Sequence, residues 1–306
     1  MTNELTFKKA TRSQARLRMA LVGPSGSGKT YSALNIAKYL VPGGRVAVID
    51  TERGSASLYS DIFDFDVLEL VGDYHPERFV EAIHAAEKAN YDVLIIDSLS
   101  HEWFGPGGCL DLVEKLKVKY NGNQFFAWRD VTPMHNRVLD AINATPMHVI
   151  ATIRAKMDYA QEKGDDGKTK ITKLGLGPIQ RDGAEYEFGI VGDMKLEGHT
   201  LVISKTRCPA LTDMVFQLPG EDIATILRAW LNEGIEMPIT KGEANQIRDY
   251  GIGKQLSTEQ ILEALGGISK MSEFTDRSIS NSYVKTGMAM IDAYCARQDA
   301  GGTDAA

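Results

Sequence analysis

The stretch Gly23-Pro-Ser-Gly-Ser-Gly28-Lys29-Thr30 limits what this chain can fold into more than any other segment. It matches G-x-x-x-x-G-K-[ST], follows the apolar run LRMALV and opens a helical pattern, so strand, loop and helix must succeed one another here. Glycines let backbone N–H groups turn inward around phosphate oxygens, and the start of the helix adds its positive end. Lys29 is expected to neutralise the β and γ phosphates of a nucleotide, and the Thr30 hydroxyl to ligate Mg²⁺. The expected nucleotide contacts are Gly23, Pro24, Ser25, Gly26, Ser27, Gly28, Lys29, Thr30 and Tyr31. The loop alone says that phosphate is bound. It does not say what the nucleotide is spent on.

Around this loop, short apolar runs alternate with helical patterns, which predicts an α/β fold with a mainly parallel sheet. Strands are expected at 17–22, 46–50, 93–97 and 148–152, and helices at 29–40, 76–89, 108–118 and 131–143. After residue 185, EYEFGIVGDMKLEGHTLVISKTR alternates about the turn EGH and reads as an antiparallel hairpin added to the sheet. The polar, Gly-rich stretch 157–177 reads as a long loop, functional or mobile. The composition shifts again near NEGIEMPITKGEANQ, and 239–297 reads as three or four short helices, one capped by Ser257 with Gln260 reaching back. The expected organisation is a nucleotide-binding domain over 1–235, a small helical domain over 236–298 and a disordered tail over 299–306.

With 306 residues, 43% apolar and 25% charged, the chain can bury a full core and has the make-up of a soluble protein. Three scattered cysteines without C-x-x-C spacing point to a reducing compartment rather than a disulfide frame. No apolar run has the length of a membrane span and the N-terminus is too polar for a signal peptide, so a cytosolic protein without membrane contact is expected. The net charge of −7 argues against binding nucleic acid over the whole surface, although residues 1–18 carry Lys8, Lys9, Arg12, Arg16 and Arg18 against Glu4 alone. His101, His135, His148 and His199 stand at no ligand-like spacing with another His or Cys, which predicts no protein metal site.

Two further strand ends carry acids. Asp97 closes VLIID, where it can hold Mg²⁺ beside the phosphate loop. Asp50 and Glu52 follow VAVI; they are either solvated loop charges or carboxylates that orient an attacking water. Together with FKKATRSQARLRMALVGPSGSGKTYSAL, IDTERGSASLYSD, YDVLIIDSLSHEW, AWRDVTPMHN, HVIATIRAK and GPIQRDGAEYEF, these segments resemble a family of phage and prophage AAA or RecA-like ATP-binding proteins over roughly residues 6–235. A more distant similarity is to phage RecA-like single-strand-annealing proteins. The resemblance implies ATP with Mg²⁺, a RecA-like P-loop NTPase core, Glu52 as catalytic carboxylate and Asp97 as the Mg²⁺-linked acid. It also implies that Lys205 and Arg207 reach a neighbouring subunit's ATP, and hence a ring or filament. One departure stands out: the RecA-like Gln that senses the γ-phosphate after the fourth strand is replaced by Thr152, with Arg154 and Gln180 as possible substitutes.

In the RecA-like plan the loops after the third and fourth strands face DNA. Here they hold Lys117, Lys119, Trp128 and Arg129, and then Arg154, Lys156, Lys168 and Lys170, as candidate contacts with single-stranded DNA. The same residues also read as the wet face of a helix, a core aromatic and a solvated loop. The implied function is an ATP hydrolase acting in phage DNA recombination or replication. The alternatives are an ATP-switched loader that binds other phage proteins through the C-terminal helices, and a small-molecule nucleotide kinase.

Overall fold

Five-residue strands such as VAVID and VLIID lack a polar face, and each is buried along its whole length. Such strands need cover on both sides, which a parallel sheet flanked by helices provides. The computed structural model describes residues 16–163, 169–232, 241–271 and 283–301. In chain order the elements begin β1 (Arg18–Gly23), α1 (Lys29–Leu40), β2 (Val46–Asp50), β3 (Asp66–Glu69), α2 (Pro76–Lys88) and β4 (Val93–Asp97). They continue with α3 (Ser100–Phe104), α4 (Cys109–Lys119), α5 (Gln124–Ala144), β5 (His148–Lys163) and β6 (Thr169–Pro178). Then come β7 (Ile190–Met194), β8 (Thr200–Thr206), β9 (Val215–Gln217) and α6 (Glu221–Leu231).

Among the described residues the strand order is β3-β2-β4-β5-β1-β7-β8-β9, with β6 paired to β5. The pairings from β3 through β7 are parallel, while β8 and β9 add antiparallel strands and β6 runs antiparallel to β5. The fold is thus the expected α/β P-loop core with an added hairpin. Phe79, Ile83, Val138 and Ile142, from α2 and α5, pack against Val22, Ile49, Ile96 and Ile153 of the sheet. Helix α1 buries Leu34, Ile36, Ala37 and Leu40.

Register decides which residues share an edge. Asp50 pairs with Asp97, Leu21 with Thr152 and Gly23 with Arg154. The carboxyl ends of β1, β2 and β4, with the part of β5 level with the end of β1, therefore bring the phosphate loop, two acids, a threonine and an arginine to one rim.

Three segments differ from expectation. Residues 157–163 and 169–177 are not loop: β5 and β6 pair antiparallel from Ala155 opposite Pro178 to Lys163 opposite Thr169. Pairing across the hairpin satisfies backbone groups that a polar sequence gave no reason to pair. Residues 124–130 are helical, so Trp128 and Arg129, expected in a loop, lie on α5. Helix α5 starts at Asn123, whose side chain accepts from the Phe125 N–H at 3.0 Å, and continues through Pro133. Strand β3 is exposed along its length, as an edge strand without alternation, which hid it from pattern reading.

A second compact unit begins at Thr225. In it, α7 (Lys241–Gly253), α8 (Thr258–Ala264) and α9 (Tyr283–Gly301) surround Ile247, Ile261, Leu265, Ile291 and Tyr294. The capping box is formed at α8: Ser257 Oγ accepts from the Gln260 N–H at 3.2 Å, and Gln260 Oε1 accepts from the Ser257 N–H at 2.9 Å. Helix α9 runs to Gly301, and residues 302–306 of the expected tail lie outside the described residues. Among the described residues no helix is long and apolar enough to cross a membrane.

Candidate nucleotide site

The phosphate loop turns from β1 into α1 through Gly26 and Gly28, both at positive φ (79° and 86°), a conformation glycine adopts without steric penalty. Gly23 is required for a different reason. A Cβ there would stand 2.7 Å from Ser27 Oγ and 2.8 Å from the Met194 carbonyl oxygen. Ser27 Oγ and Lys29 Nζ each donate to the Pro24 carbonyl at 2.9 Å, folding the loop around its own backbone. Burial lowers the Lys29 pKa; Asp97 and Glu52 oppose that shift, and Arg154 adds to it. Tyr31, expected at the nucleotide, packs edge-on against Tyr59 and Phe63 with ring centroids 5.8 and 5.2 Å away.

Asp97 is almost completely buried, and both its oxygens are engaged. Thr30 Oγ1 donates to one at 2.7 Å, and Thr152 Oγ1 to the other. Thr152 therefore orients the acid, a contact that β5 makes possible by lying between β1 and β4. Burial raises the Asp97 pKa, the two threonine hydrogen bonds counter it, and Glu52 and Asp50 raise it further. A carboxylate disfavoured as an anion by burial and like charge is one that a divalent cation would relieve. Thr30 and Asp97, already in contact beside the start of α1, thus fit Mg²⁺, and the glycine cradle fits the phosphates that would carry it.

The two acids after β2 separate into different roles. Asp50 is fully buried and accepts from the backbone N–H groups of Glu52 (2.6 Å) and Ala56 (3.0 Å), so it shapes the turn. Glu52 stands at that turn with its side chain 28% exposed, and Arg154 holds its Oε1 with Nε at 2.9 Å and a second guanidinium nitrogen at 2.8 Å. Arg154, expected among the DNA contacts, is thus committed to Glu52 and lies over the Phe104 ring. Gln180, the other possible substitute for the missing Gln, is turned to Leu99 and Glu102.

A buried frame supports this edge. Thr51 Oγ1 accepts from the Ser98 N–H at 2.7 Å and meets His101 Nδ1 at 2.6 Å, while Tyr74 donates to the Thr51 carbonyl and stacks on His101. The Asp97–Ser98 peptide within it is cis. Burial and Arg154 lower the His101 pKa, holding the ring neutral.

A family model described as an AAA domain matches residues 15–217. The chain belongs to the AAA-domain family. That match spans β1 through β9 and makes the unit just described a nucleotide-binding domain of the P-loop ATPase type. No curated protein matches the sequence.

Other features of this AAA domain were not apparent from sequence. The turn Glu197–His199 between β7 and β8 lies against the phosphate loop: a Cβ on Gly28 would meet the His199 ring at 3.1 Å. Lys205 and Arg207 lie toward the opposite end of the sheet. Lys205 pairs with Val191, itself level with Ala20, so it stands about 10 Å down the strand from Gly23 at the usual strand rise. Its Nζ donates to the Glu185 carbonyl at 2.7 Å.

Among the candidate DNA contacts, Trp128 is stacked on Trp103 with centroids 5.4 Å apart and is half-buried. Lys117 faces Glu114, Lys119 lies over Tyr120, and Arg129 lies over Phe126. Lys156 is exposed on β5, Lys170 stands on β6 opposite Glu162, and Lys168 lies outside the described residues. Phe125 and Phe126 add an exposed aromatic pair beside Arg129.

Proposed function

We propose that this AAA domain is a Mg²⁺-dependent, RecA-like ATP hydrolase that works as a homo-oligomeric ring or filament on single-stranded DNA in phage recombination or replication. The observation that carries the hydrolytic half is Glu52, a part-exposed carboxylate at the phosphate-binding rim. Arg154 holds it through Oε1, which leaves Oε2 to orient water. Thr30 and Asp97 would hold Mg²⁺, which when bound supplies a Lewis acid for the phosphate oxygens.

The chain's own residues do the rest. Lys29 exchanges its Pro24 carbonyl for phosphate oxygens and balances their charge. Glu52 takes a proton from the attacking water as the new oxygen–phosphorus bond forms and the bond from the γ-phosphorus to the bridging oxygen of ADP breaks. Arg154 stands where a γ-phosphate could draw it away from Glu52, which fits it to sense the triphosphate in place of the missing Gln. Lys205 and Arg207, remote from their own loop, fit a role on a neighbour's nucleotide.

The DNA half is supported by Phe125 and Phe126 exposed between Lys119 and Arg129, faces for stacking with cations for phosphate. The C-terminal helices offer a separate surface for phage replication or recombination proteins.

The test is ATP turnover by the wild type and Glu52→Gln, with and without single-stranded DNA. Glu52→Gln should lose about 100-fold or more in turnover while still binding ATP. Unchanged turnover in the variant would remove Glu52 from the chemistry. Equal wild-type rates with and without DNA, and no gel shift at low salt, would remove the DNA half. Phosphoryl transfer to a nucleoside monophosphate without free phosphate would establish a kinase instead.

A further inference from the structure

Beside the nucleotide site, α3, α4 and α5 bring three ligand-type side chains to one buried point. Glu102 and Cys109 are fully buried and His135 is 1% exposed. Cys109 Sγ lies 3.0 Å from Glu102 Oε1, His135 Nδ1 lies 3.1 and 3.2 Å from the two Glu102 oxygens, and one donor atom from each residue lies within 4.8 Å of the others. Gln180 Nε2 donates to Glu102 Oε2 at 3.4 Å.

Hydrogen bonding alone does not account for the cluster. On α5, His135 continues the buried line of Ala127 and Val131 at four-residue spacing, a position that helical periodicity gives to an apolar side chain. Its Nε2 is buried with no hydrogen-bond partner among the described residues, and Trp103 meets the ring edge-on. The Glu102 carboxylate has no lysine or arginine ion pair among the described residues; its side-chain contacts there are His135, Cys109 and Gln180. A buried charge is normally paired or bound to a metal.

We propose that Glu102, Cys109 and His135 bind one divalent transition-metal ion of the zinc class. The donor set, one thiolate, one imidazole and one carboxylate, is that of zinc and its chemical neighbours rather than of magnesium. The spacings between donors are of the size that bonds of about 2.0–2.3 Å to a common centre impose. Charge closes as well, since thiolate and carboxylate balance a dication where carboxylate alone leaves a buried negative charge. Binding exchanges the Cys109 S–H proton for the metal and releases that proton to solvent. Burial and the adjacent carboxylate favour the protonated thiol in the absence of an ion; a bound cation reverses that preference. The fourth tetrahedral position is left to water or to the Gln180 amide. Residue spacings of 7 and 26 make such a site invisible to pattern reading, which is why the sequence predicted no protein metal site. Its position is consequential: α3 begins three residues after Asp97, so an ion here would pin the segment that follows the Mg²⁺-linked acid.

The test uses the full chain stripped of metal with chelator and titrated with Co²⁺. Binding at this site should give a near-ultraviolet thiolate-to-cobalt charge-transfer band saturating at one ion per chain, and Zn²⁺ should displace it. The band should vanish in Cys109→Ala and in His135→Asn, and persist in Cys208→Ala and Cys295→Ala. Mg²⁺ sites at Thr30 and Asp97 have no thiolate and cannot produce it. No band in the folded wild type, or a band that survives Cys109→Ala, overturns the proposal and leaves a hydrogen-bonded Glu–His–Cys cluster. Should Cys109→Ala fail to fold by circular dichroism, Cys109→Ser, which keeps the shape and hydrogen bond, decides by the same readout.

Discussion

Thr152 occupies the position where the resemblance leads one to expect a Gln, and its hydroxyl donates to Asp97. The substitution moves the residue's task from a distant phosphate to a neighbouring acid. Thr152→Val keeps the shape and removes the hydrogen bond, and it should raise the Mg²⁺ concentration for half-maximal turnover about 10-fold, as loss of an outer-shell partner does. ATP affinity measured without Mg²⁺ should stay unchanged. A Mg²⁺ titration of turnover checks this, and an unshifted midpoint would show that Thr30 alone orients Asp97. The same scale separates Asp50 from Glu52, which lie two residues apart. One accepts two backbone N–H groups and is spent on the turn, while the other reaches the rim.

Where α5 meets β5, the chain turns under Arg18, whose guanidinium donates to the carbonyl groups of Asn143, Thr145 and Met147 and so collects the free end of the helix. Beside it, His148 Nδ1 accepts from the Leu17 N–H at 3.0 Å. Burial, then Arg16 and Arg18, push the His148 pKa down to about 3 from an ordinary 6.5. Between those values the unfolded chain holds a proton that the native ring refuses, so stability present above about pH 6.5 is lost as pH falls, by up to about 1.4 kcal/mol per pH unit from this group. His148→Asn keeps an acceptor without the titration, and denaturant unfolding at pH 7, 6 and 5 should show a shallower acid slope. Equal slopes would place the proton elsewhere. Elements with a strong period were legible in the sequence: α1 fits its prediction at both ends, as do β2 and β4, because their burial is continuous or one-sided. Residues 124–130 were not, since Phe125 and Phe126 face solvent and break the apolar stripe. Nor was the β5–β6 hairpin, whose pairing is written in backbone hydrogen bonds rather than in side chains. Within the site, Glu52 and Asp97 could be found because strand ends mark the rim. The Arg154–Glu52 pair and the approach of His199 could not, because they depend on register across strands far apart in sequence.

At the scale of the whole molecule, the role proposed for Lys205 and Arg207 requires a second copy. Lys29→Ala should abolish turnover in its own site, and the Lys205→Ala, Arg207→Ala double variant should abolish what the chain lends to another. Mixed together, the two inactive proteins should regain turnover that neither has alone, read as released phosphate. Failure to regain it, with mass measurement showing mixed assemblies, would confine both residues to structural work. Strand β8 gives this arrangement a further meaning. Its first residue follows the turn that touches Gly28, and its sixth is Lys205, with the ladder to β7 between them interrupted by one bulge, beside Lys205. In the proposed assembly a subunit has its own nucleotide and its neighbour's at the two ends of this strand, so that a tilt produced by losing a phosphate at one end would arrive as a changed reach at the other.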